Sequence, residues 1–453
     1  MSNPFSKLIG RSKHAVAFMK AEITHICQNL PKRNPGSKGE RRAAEYMASV
    51  LNEQCGCSEP RIESFKEHPD SFYGYCRISG VLDSLTCIGF FIHPIVSLIC
   101  GCVSLFLFLF FFVLYIPIID RLFPEREGTN VTAVRACSRE VKRRVFLNGH
   151  IDAAWEFTLN YHFGGVVFEI PNVMALFGVI FYMIVSISSL FGAGEWTGYA
   201  ARWGILFLPF FIAIFFTFNP KRVVDGANDN LTGCYMGISV LREMDKNGIV
   251  LENTEVGVIL TGSEEAGLRG AKAWCKAHGS DYQDVPTYII SFDTIHDPQY
   301  LMVNERDLNG TLKADPNLLE AFLQASKDVR IPCKRGKVPL FGGATDSAAF
   351  TQGGFRSIAV TGLNHKLEDY YHTRRDSYDN LDGEGLENCY KATVRMLELF
   401  DSGEFDPSLA EYSTRGNLQL HNGGPQKCGC YAGSKGMLPE SYGSSKKSEK
   451  NFN

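Results

Sequence analysis

The sequence predicts a mixed, mostly parallel α/β fold interrupted by two transmembrane helical hairpins. Three observations support this fold class. Strand-like and helix-like segments alternate along most of the chain. Two long stretches are almost free of charged residues and rich in phenylalanine. Polar residues suited to metal binding and catalysis stand where the apolar strands end.

The composition is that of a folded chain with membrane segments. The chain has 453 residues, of which 45% are hydrophobic and 21% are charged, so extensive disorder is excluded. The formal net charge of −3 argues against nucleic acid as a partner. The N-terminus does not have the pattern of a signal peptide. Many of the 14 cysteines lie inside apolar patterns, which is typical of reduced, buried thiols.

The first 80 residues predict a soluble region. Apolar residues at three- and four-residue intervals predict helices over 14–30 and 40–54, and 71–82 is interpreted as a strand. After the first charge-poor stretch, strands are predicted at 130–136 and 143–150. After the second stretch, the alternation predicts helices at 232–247, 268–279, 317–329 and 385–403, and strands at 255–262, 286–293, 337–343 and 355–363.

The two charge-poor stretches predict membrane insertions at 82–120 and 170–219. No Asp, Glu, Lys or Arg occurs from Ser84 to Ile119, and only Glu195 and Arg202 occur from Ile170 to Asn219. The first insertion is expected to form two short helices that turn near Gly101. The second is long enough for two spans of roughly 17–25 residues with a turn at Gly192–Gly198.

The remaining segments, 1–80, 126–165 and 220–406, are predicted to form a single α/β domain, and 407–453 to be a disordered tail. In the tail, His421, Cys428 and Cys430 are a metal-binding alternative to an unpaired polar segment. Basic residues near the membrane boundaries lie on the side of the α/β domain. We therefore expect an integral membrane protein with a cytoplasmic catalytic domain, in contact with the lipid bilayer.

Six polar positions at strand ends are expected to share one crevice. In an open α/β sheet, ligands bind beyond the carboxyl ends of the strands. Two imidazoles and four carboxylates offer the nitrogen and oxygen ligands that zinc accepts. A pair of zinc ions would share one carboxylate and leave one acidic residue as the general base, for which Glu264 is the candidate. The six residues are His150, Asp229, Glu264, Glu265, Asp293 and His372.

In combination, the motifs resemble those of the di-zinc aminopeptidase family of clan MH, which includes glutamate carboxypeptidase and the glutaminyl cyclases. The motifs are His-x-Asp at 150–152, Gly-Ala-x-Asp-Asn-x-x-Gly at 226–233, Glu-Glu-x-Gly-Leu-x-Gly at 264–270, the strand-end Asp293 and Tyr-His-Thr-x-x-Asp at 371–376. Asn228 stands where many relatives have Asp. The resemblance implies a zinc exopeptidase fold.

The resemblance also implies roles for single residues. His150, Asp229 and Asp293 would hold one zinc ion, and Asp229, Glu265 and His372 the other, giving two Zn²⁺ per chain. Asp152 would orient His150, because a second partner commonly fixes a ligating imidazole. Glu264 would be the general base, and Tyr371 matches the position that stabilises the oxyanion.

The implied function is a membrane-anchored zinc aminopeptidase that hydrolyses peptides. Two other functions stay open: a glutaminyl-cyclase-like acyltransferase, and a transporter or membrane scaffold with a peptidase fold. Few charged residues lie in the membrane segments, which disfavours transport. Because insertion two lies between the expected ligands His150 and Asp229 in the sequence, we expect the catalytic crevice to lie close to the bilayer. The choice between aminopeptidase and carboxypeptidase, the residue preference and the oligomeric state stay open.

Overall fold

The computed structural model describes residues 4–340, 342–364 and 369–405, and the backbone of 410–412 and 418–420. The helices are α1 Pro4–Gly10, α2 Ser12–Asn29, α3 Lys38–Gln54, α4 Asp70–Phe90, α5 Pro94–Leu107, α6 Thr158–Phe163, α7 Gly165–Leu190, α8 Trp196–Gly204, α9 Leu208–Ala213, α10 Thr232–Lys246, α11 Arg269–His278, α12 Pro316–Asp328, α13 Asp346–Gln352 and α14 Gly383–Ser402. The strands are β1 Arg61–Glu67, β2 Arg126–Arg135, β3 Arg143–His150, β4 Trp155–Phe157, β5 Phe218–Val223, β6 Thr254–Thr261, β7 Thr287–Asp293, β8 Leu301–Asn304, β9 Arg306–Asp307, β10 Leu312–Lys313, β11 Lys334–Gly336, β12 Arg356–Gly362, β13 Ala410–Tyr412 and β14 Leu418–Leu420.

Eight strands form one mixed sheet in the order β1-β2-β6-β3-β7-β12-β8-β11. The four central strands β6, β3, β7 and β12 are parallel. The pairs β1–β2, β2–β6 and β12–β8 are antiparallel, and β8–β11 is parallel. The register pairs His150 of β3 with Thr261 of β6. The carboxyl ends of the central strands therefore share one edge, where ligands bind in sheets of this type.

Helices cover both faces of the sheet, so the parallel strands are buried on both sides. Along β6, Val256, Val258 and Leu260 contact the core formed with α2, α3, α10, α12 and α14. Ile259 points to the opposite core, which includes Trp274 of α11 and Phe350 of α13. This alternation confirms the predicted fold class of the domain, a mixed, mostly parallel sheet flanked by helices.

Helices α4 and α5 form the first hairpin, and its turn lies at 91–93. The prediction of a turn near Gly101 is wrong, since Gly101 lies inside α5. Pro94 begins α5, and the Nδ1 atom of His93 accepts a hydrogen bond from the backbone N–H of Ile95 at 3.2 Å. A proline at the first position and a side-chain cap are both typical of helix starts.

The segment 71–82, predicted as a strand, belongs to helix α4. Aromatic and β-branched residues gave it the composition of a strand, but packing decides its structure. Ser97 donates a hydrogen bond to the backbone carbonyl of Thr86 at 2.6 Å, and Ser104 donates one to Asp83 at 2.5 Å. These two bonds join the buried sides of α4 and α5, since all four residues are buried.

The second hairpin consists of α7 and of the run from α8 to α9. By length and composition, three helical segments can cross a membrane: Pro94–Val113, Gly165–Leu190 and Trp196–Phe216. Large apolar side chains on them are exposed, for example Phe177 at 60% and Leu206 at 67%. Such patches are too extensive for a protein surface in water, so the three helices indicate membrane association.

Strands β4 and β5 join the second hairpin to the α/β domain. They form a separate antiparallel pair in which Phe157 lies opposite Phe218. The chain therefore leaves for the hairpin and returns from it at the same place. We call residues 155–163 and 218–223 the root of hairpin two.

Two other predicted boundaries differ from the structure. No described residue of 337–343 is in a strand, and the edge strand β11 lies at Lys334–Gly336 instead. Helix α7 begins at Gly165, before the predicted start of the second insertion at 170.

The predicted tail 407–453, with His421, Cys428 and Cys430, lies outside the described residues, apart from the paired strands β13 and β14. All cysteines in the described part are free thiols.

Candidate metal and catalytic site

The predicted site residues meet at the carboxyl edge of the sheet. His150 ends β3 and Asp293 ends β7, while Glu264 and Glu265 follow β6. Asp229 lies in the turn before α10, and His372 lies in the loop after β12. Three overlapping groups of possible metal ligands form there, each with its ligand atoms within 4.8 Å of one another: His150, Asp229 and Asp293; Asp229, Glu265 and His372; His150, Glu264 and Glu265.

Asp229 lies between the two imidazoles. Its Oδ1 atom is 3.1 Å from Nε2 of His150, and its Oδ2 atom is 3.0 Å from Nε2 of His372. Nε2 of His372 is also 3.2 Å from Oε1 of Glu265. One carboxylate that faces two imidazoles through different oxygens has the geometry of a ligand shared by two metal ions.

Asp152 connects the His150 strand with the Glu264 loop. Its Oδ1 atom lies 3.4 Å from Nδ1 of His150, and its backbone carbonyl lies 3.3 Å from the same nitrogen. Its two carboxylate oxygens accept hydrogen bonds from the backbone N–H groups of Glu264 and Glu265, each at 3.0 Å. Asp152 therefore fixes both the imidazole and the pair of glutamates.

Buried polar side chains hold the turn that carries Asp229. The carboxylate of Asp376 accepts hydrogen bonds from the backbone N–H groups of Asn228 at 2.7 Å and Asp229 at 3.0 Å. Arg33 is 2% exposed and donates to the backbone carbonyls of Ile151 and Gly226 at 2.8 and 3.0 Å. Such bonds to backbone groups fix loop positions where no strand or helix does.

Sequence reasoning missed Arg33 and gave Asp376 no role. Arg33 lies in the turn Pro-Lys-Arg-Asn-Pro at 31–35, whose composition is typical of an exposed loop. Asp376 lies inside the quoted Tyr-His-Thr-x-x-Asp motif, which was the available signal. Glu40 was also missed; it is fully buried and accepts hydrogen bonds from the backbone N–H groups of Thr129 and Ser263, at 2.8 and 3.0 Å.

Burial and like charges shift the titration of the site. Burial, with repulsion from Glu265, raises the pKa of Glu264 well above its usual range. Burial works against the charged form of His372, but Glu265 and Asp229 outweigh it and raise the pKa of His372 to about 10. Burial also opposes ionisation of Asp229, yet its bonds to His150 and His372 keep its pKa lowered. Opposite shifts in neighbouring groups are typical of functional sites.

Tyr371 lies directly against the site. Its ring stacks on the imidazole of His372 with centroids 4.1 Å apart and an interplanar angle of 19°. Its backbone carbonyl accepts a hydrogen bond from Nδ2 of Asn160 at 2.9 Å. The structure thus places Tyr371 beside the ligand candidates, and Asn160 ties its backbone to the root of hairpin two.

The donor set fits zinc. Of the four carboxylates around the two imidazoles, Asp229, Glu264 and Glu265 are buried and Asp293 is partly exposed. No Lys or Arg of the described chain forms an ion pair with any of them. A buried cluster with this excess of negative charge needs compensating cations. Imidazole nitrogen with carboxylate oxygen suits Zn²⁺.

Comparison with known proteins extends these observations. Residues 215–397 match the model of peptidase family M28. No curated protein matches the sequence.

Among solved structures, LapB of Legionella pneumophila is similar with a TM-score of 0.51 and 12% identity, covering 88% of this chain and 75% of LapB. An aminopeptidase from Aneurinibacillus sp. strain AM-1 has a TM-score of 0.50 and 12% identity, covering 85% and 93% of the two chains. A glutaminyl cyclase of Bacteroides thetaiotaomicron has a TM-score of 0.50 and 12% identity, covering 85% and 97%.

At these identities the likeness to solved structures shows the fold alone. The family model matches the segment that holds most of the motifs, and this match together with the shared fold confirms the resemblance found in the motifs. Residues 215–397, which hold Asp229, Glu265, Asp293 and His372, are therefore similar to peptidase family M28.

Proposed function

We propose that the protein is a membrane-anchored zinc exopeptidase, and specifically an aminopeptidase with two zinc ions in each chain. One observation carries this proposal: the two oxygens of Asp229 face the imidazoles of His150 and His372 at 3.1 and 3.0 Å. His150, Asp229 and Asp293 would hold one ion, and Asp229, Glu265 and His372 the other. When bound, the zinc ions supply Lewis-acid chemistry and lower the pKa of coordinated water.

The residues of the chain account for the proton transfers of peptide hydrolysis. Glu264 removes a proton from the attacking water as the water oxygen bonds to the scissile carbonyl carbon. The carboxyl of Glu264 then gives that proton to the departing amine, and the C–N bond breaks. Burial, which raises the pKa of Glu264, favours such proton uptake. The phenol of Tyr371 donates a hydrogen bond to the carbonyl oxygen as negative charge develops there.

A metal analysis combined with a substrate panel tests this proposal. The detergent-purified chain should contain two zinc ions and should release the N-terminal residue from aminoacyl substrates. The panel should also contain peptides with a blocked N-terminus, which a carboxypeptidase would cleave, and peptides that begin with glutamine.

Conversion of the glutamine peptides to a cyclised product, with no hydrolysis, would favour the acyltransferase alternative. Zinc binding without turnover of any panel member would favour the scaffold or transporter alternative.

A further inference from the structure

The root of hairpin two contacts the loop that carries His372. The backbone N–H of Phe157 donates a hydrogen bond to the carbonyl of His372 at 2.8 Å. The ring of Phe157 lies 4.5 Å from the imidazole, measured between centroids. The same ring stacks on Phe168 of α7 at 4.4 Å and 17°. A chain of direct contacts thus runs from a membrane helix to a predicted metal ligand.

His372 is held differently from His150. In His150, Nδ1 faces Asp152, whereas Nδ1 of His372 is buried and has no hydrogen-bond partner among the described residues. The backbone of His372 also has a φ of +50°, which is uncommon for a residue other than glycine. Asp229 and Glu265 face Nε2 of His372. Since no side chain of the described residues holds Nδ1 and the backbone is not relaxed, the position of this imidazole also depends on contacts of the surrounding loop.

The loop that carries His372 also forms an ion pair with Glu156. Arg374 donates two hydrogen bonds to the Glu156 carboxylate, from Nε at 2.6 Å and from Nη2 at 2.7 Å. Glu156 lies in β4 and is fully buried, while the Arg374 side chain is 37% exposed. The guanidinium also lies 3.9 Å from the ring centroid of Tyr161 in α6. A two-pronged bond of this kind fixes orientation as well as distance.

Resting on the proposed function, we propose that Glu156 and Arg374 are positioning residues for His372, and that the root of hairpin two is therefore part of the metal site. The pair holds the loop two residues beyond His372, and Phe157, next to Glu156, holds His372 itself. Hairpin two would then do more than anchor the enzyme, because residues in the root of hairpin two would complete the binding site of the second zinc ion.

The selective loss of one zinc ion tests this proposal. In the full-length protein, Glu156→Gln keeps the size of the side chain and removes its charge, and Arg374 can be hydrated because it is partly exposed. We expect affinity for the zinc ion at Asp229, Glu265 and His372 to fall about tenfold or more, a range known for residues that support metal ligands. Affinity for the ion at His150 should not change. A competition titration with a zinc chelator measures both.

Two further variants separate the pair from general destabilisation. Arg374→Gln should give the same selective weakening, and the double variant should be no weaker than the stronger single variant, since both break the ion pair between Glu156 and Arg374. Glu255→Gln is the matched control. It breaks an ion pair with Arg144, 2.5 Å long, at the opposite edge of the sheet, and should leave both zinc affinities unchanged.

The benchmark is His372→Ala, which should lose one zinc ion. If His372→Ala still binds two, the proposed metal site itself is wrong. If His372→Ala loses one ion while Glu156→Gln binds both as tightly as the parent protein, the site stands and the positioning role is overturned. Equal weakening of both ions in Glu156→Gln would also overturn it, because that result indicates a general effect on folding.

Discussion

At the scale of single residues, the site is a set of buried charges that support one another. Glu264, the proposed base, is joined through its backbone N–H to Asp152, and Asp152 faces His150. Asp229 faces both imidazoles. Proton transfer and metal binding are thus assigned to different carboxylates, so substitutions should separate the two.

The first prediction separates these roles. Glu264→Gln should lower the rate of peptide hydrolysis by about 10²–10⁴-fold, the contribution of a general base, with two zinc ions retained. Asp229→Ala should disturb the binding of both ions, because Asp229 would be a ligand of each and its two oxygens face the two imidazoles. Zinc content and turnover of an aminoacyl substrate measure the two effects. Full activity in the Asp229→Ala protein would refute the proposed site.

At the scale of elements, strand β3 depends on close contact with helix α10. A Cβ atom added at Gly149 would lie 2.4 Å from the backbone of Gly233 and of Cys234. Neither backbone can yield as the end of a flexible side chain can. Gly149 precedes His150, so this contact sets how deeply the strand that ends in a predicted ligand packs against the helix.

The second prediction follows from this contact. Gly149→Ala should destabilise the fold by about 1–3 kcal/mol, the usual cost of overpacking a core. The apparent melting temperature in detergent measures the change. Gly10→Ala is the matched control, because a Cβ atom at Gly10 meets no atom within 4 Å. Equal melting temperatures for the two variants would show that β3 and α10 can separate without cost.

Strands were predictable where a continuous apolar run ends in polar residues. The central strands β3, β6 and β7 are continuous apolar runs with a polar end, and the motifs at those ends identified the candidate site. The edge strand β1 was missed, because its exposed pattern of charged residues, Arg61–Glu67, is also that of a loop. The hairpin turn at 91–93 was missed although Pro94, at the start of α5, was a local sign of it.

The supporting shell of the site was less predictable than the ligands. The predicted ligands belong to short motifs, whereas Arg33 and Glu40 act through backbone groups that are distant in sequence, at Ile151 and Thr129. The contact between the root of hairpin two and the His372 loop could not be predicted either, because its residues are distant in sequence. Glu156 and Arg374 are 218 residues apart, and only the folded chain brings them together.

At the scale of the whole molecule, the membrane segments and the α/β domain share a boundary beside the site. Both ends of hairpin two meet at β4 and β5, next to His372. Near this boundary the domain carries Arg121, Arg126, Lys221 and Arg222, whereas the far turn of hairpin two is bounded by Glu195 and Arg202. Positive residues tend to stay in the cytoplasm.

The third prediction is therefore topological. A reporter inserted in the turn at 192–198 and a reporter on the α/β domain should lie on opposite sides of the membrane, with the domain in the cytoplasm. An impermeant thiol reagent applied to intact cells should leave the cysteines of the domain unmodified. Labelling of Cys137, a thiol outside the hairpins, would contradict the proposed orientation.

The fourth prediction concerns access of the substrate. Because the root of hairpin two contacts the site, we expect peptides that partition into lipid to reach Glu264 along the bilayer surface. In liposomes, the chain should cleave such a peptide more efficiently than a soluble dipeptide with the same N-terminal residue. In detergent micelles without lipid, the difference should shrink. Equal efficiency for both peptides in liposomes would leave hairpin two without a role in substrate delivery.

The crowding of Asp229 with three other carboxylates has a consequence for biogenesis. Before metal arrives, these groups repel one another in a buried space, and cations that bind the folded chain relieve that repulsion. A ligand that binds only the folded state stabilises it in proportion to the logarithm of its free concentration. For the proposed zinc enzyme, the supply of zinc would therefore help to decide how much newly made chain folds and survives, as well as how much of it is active.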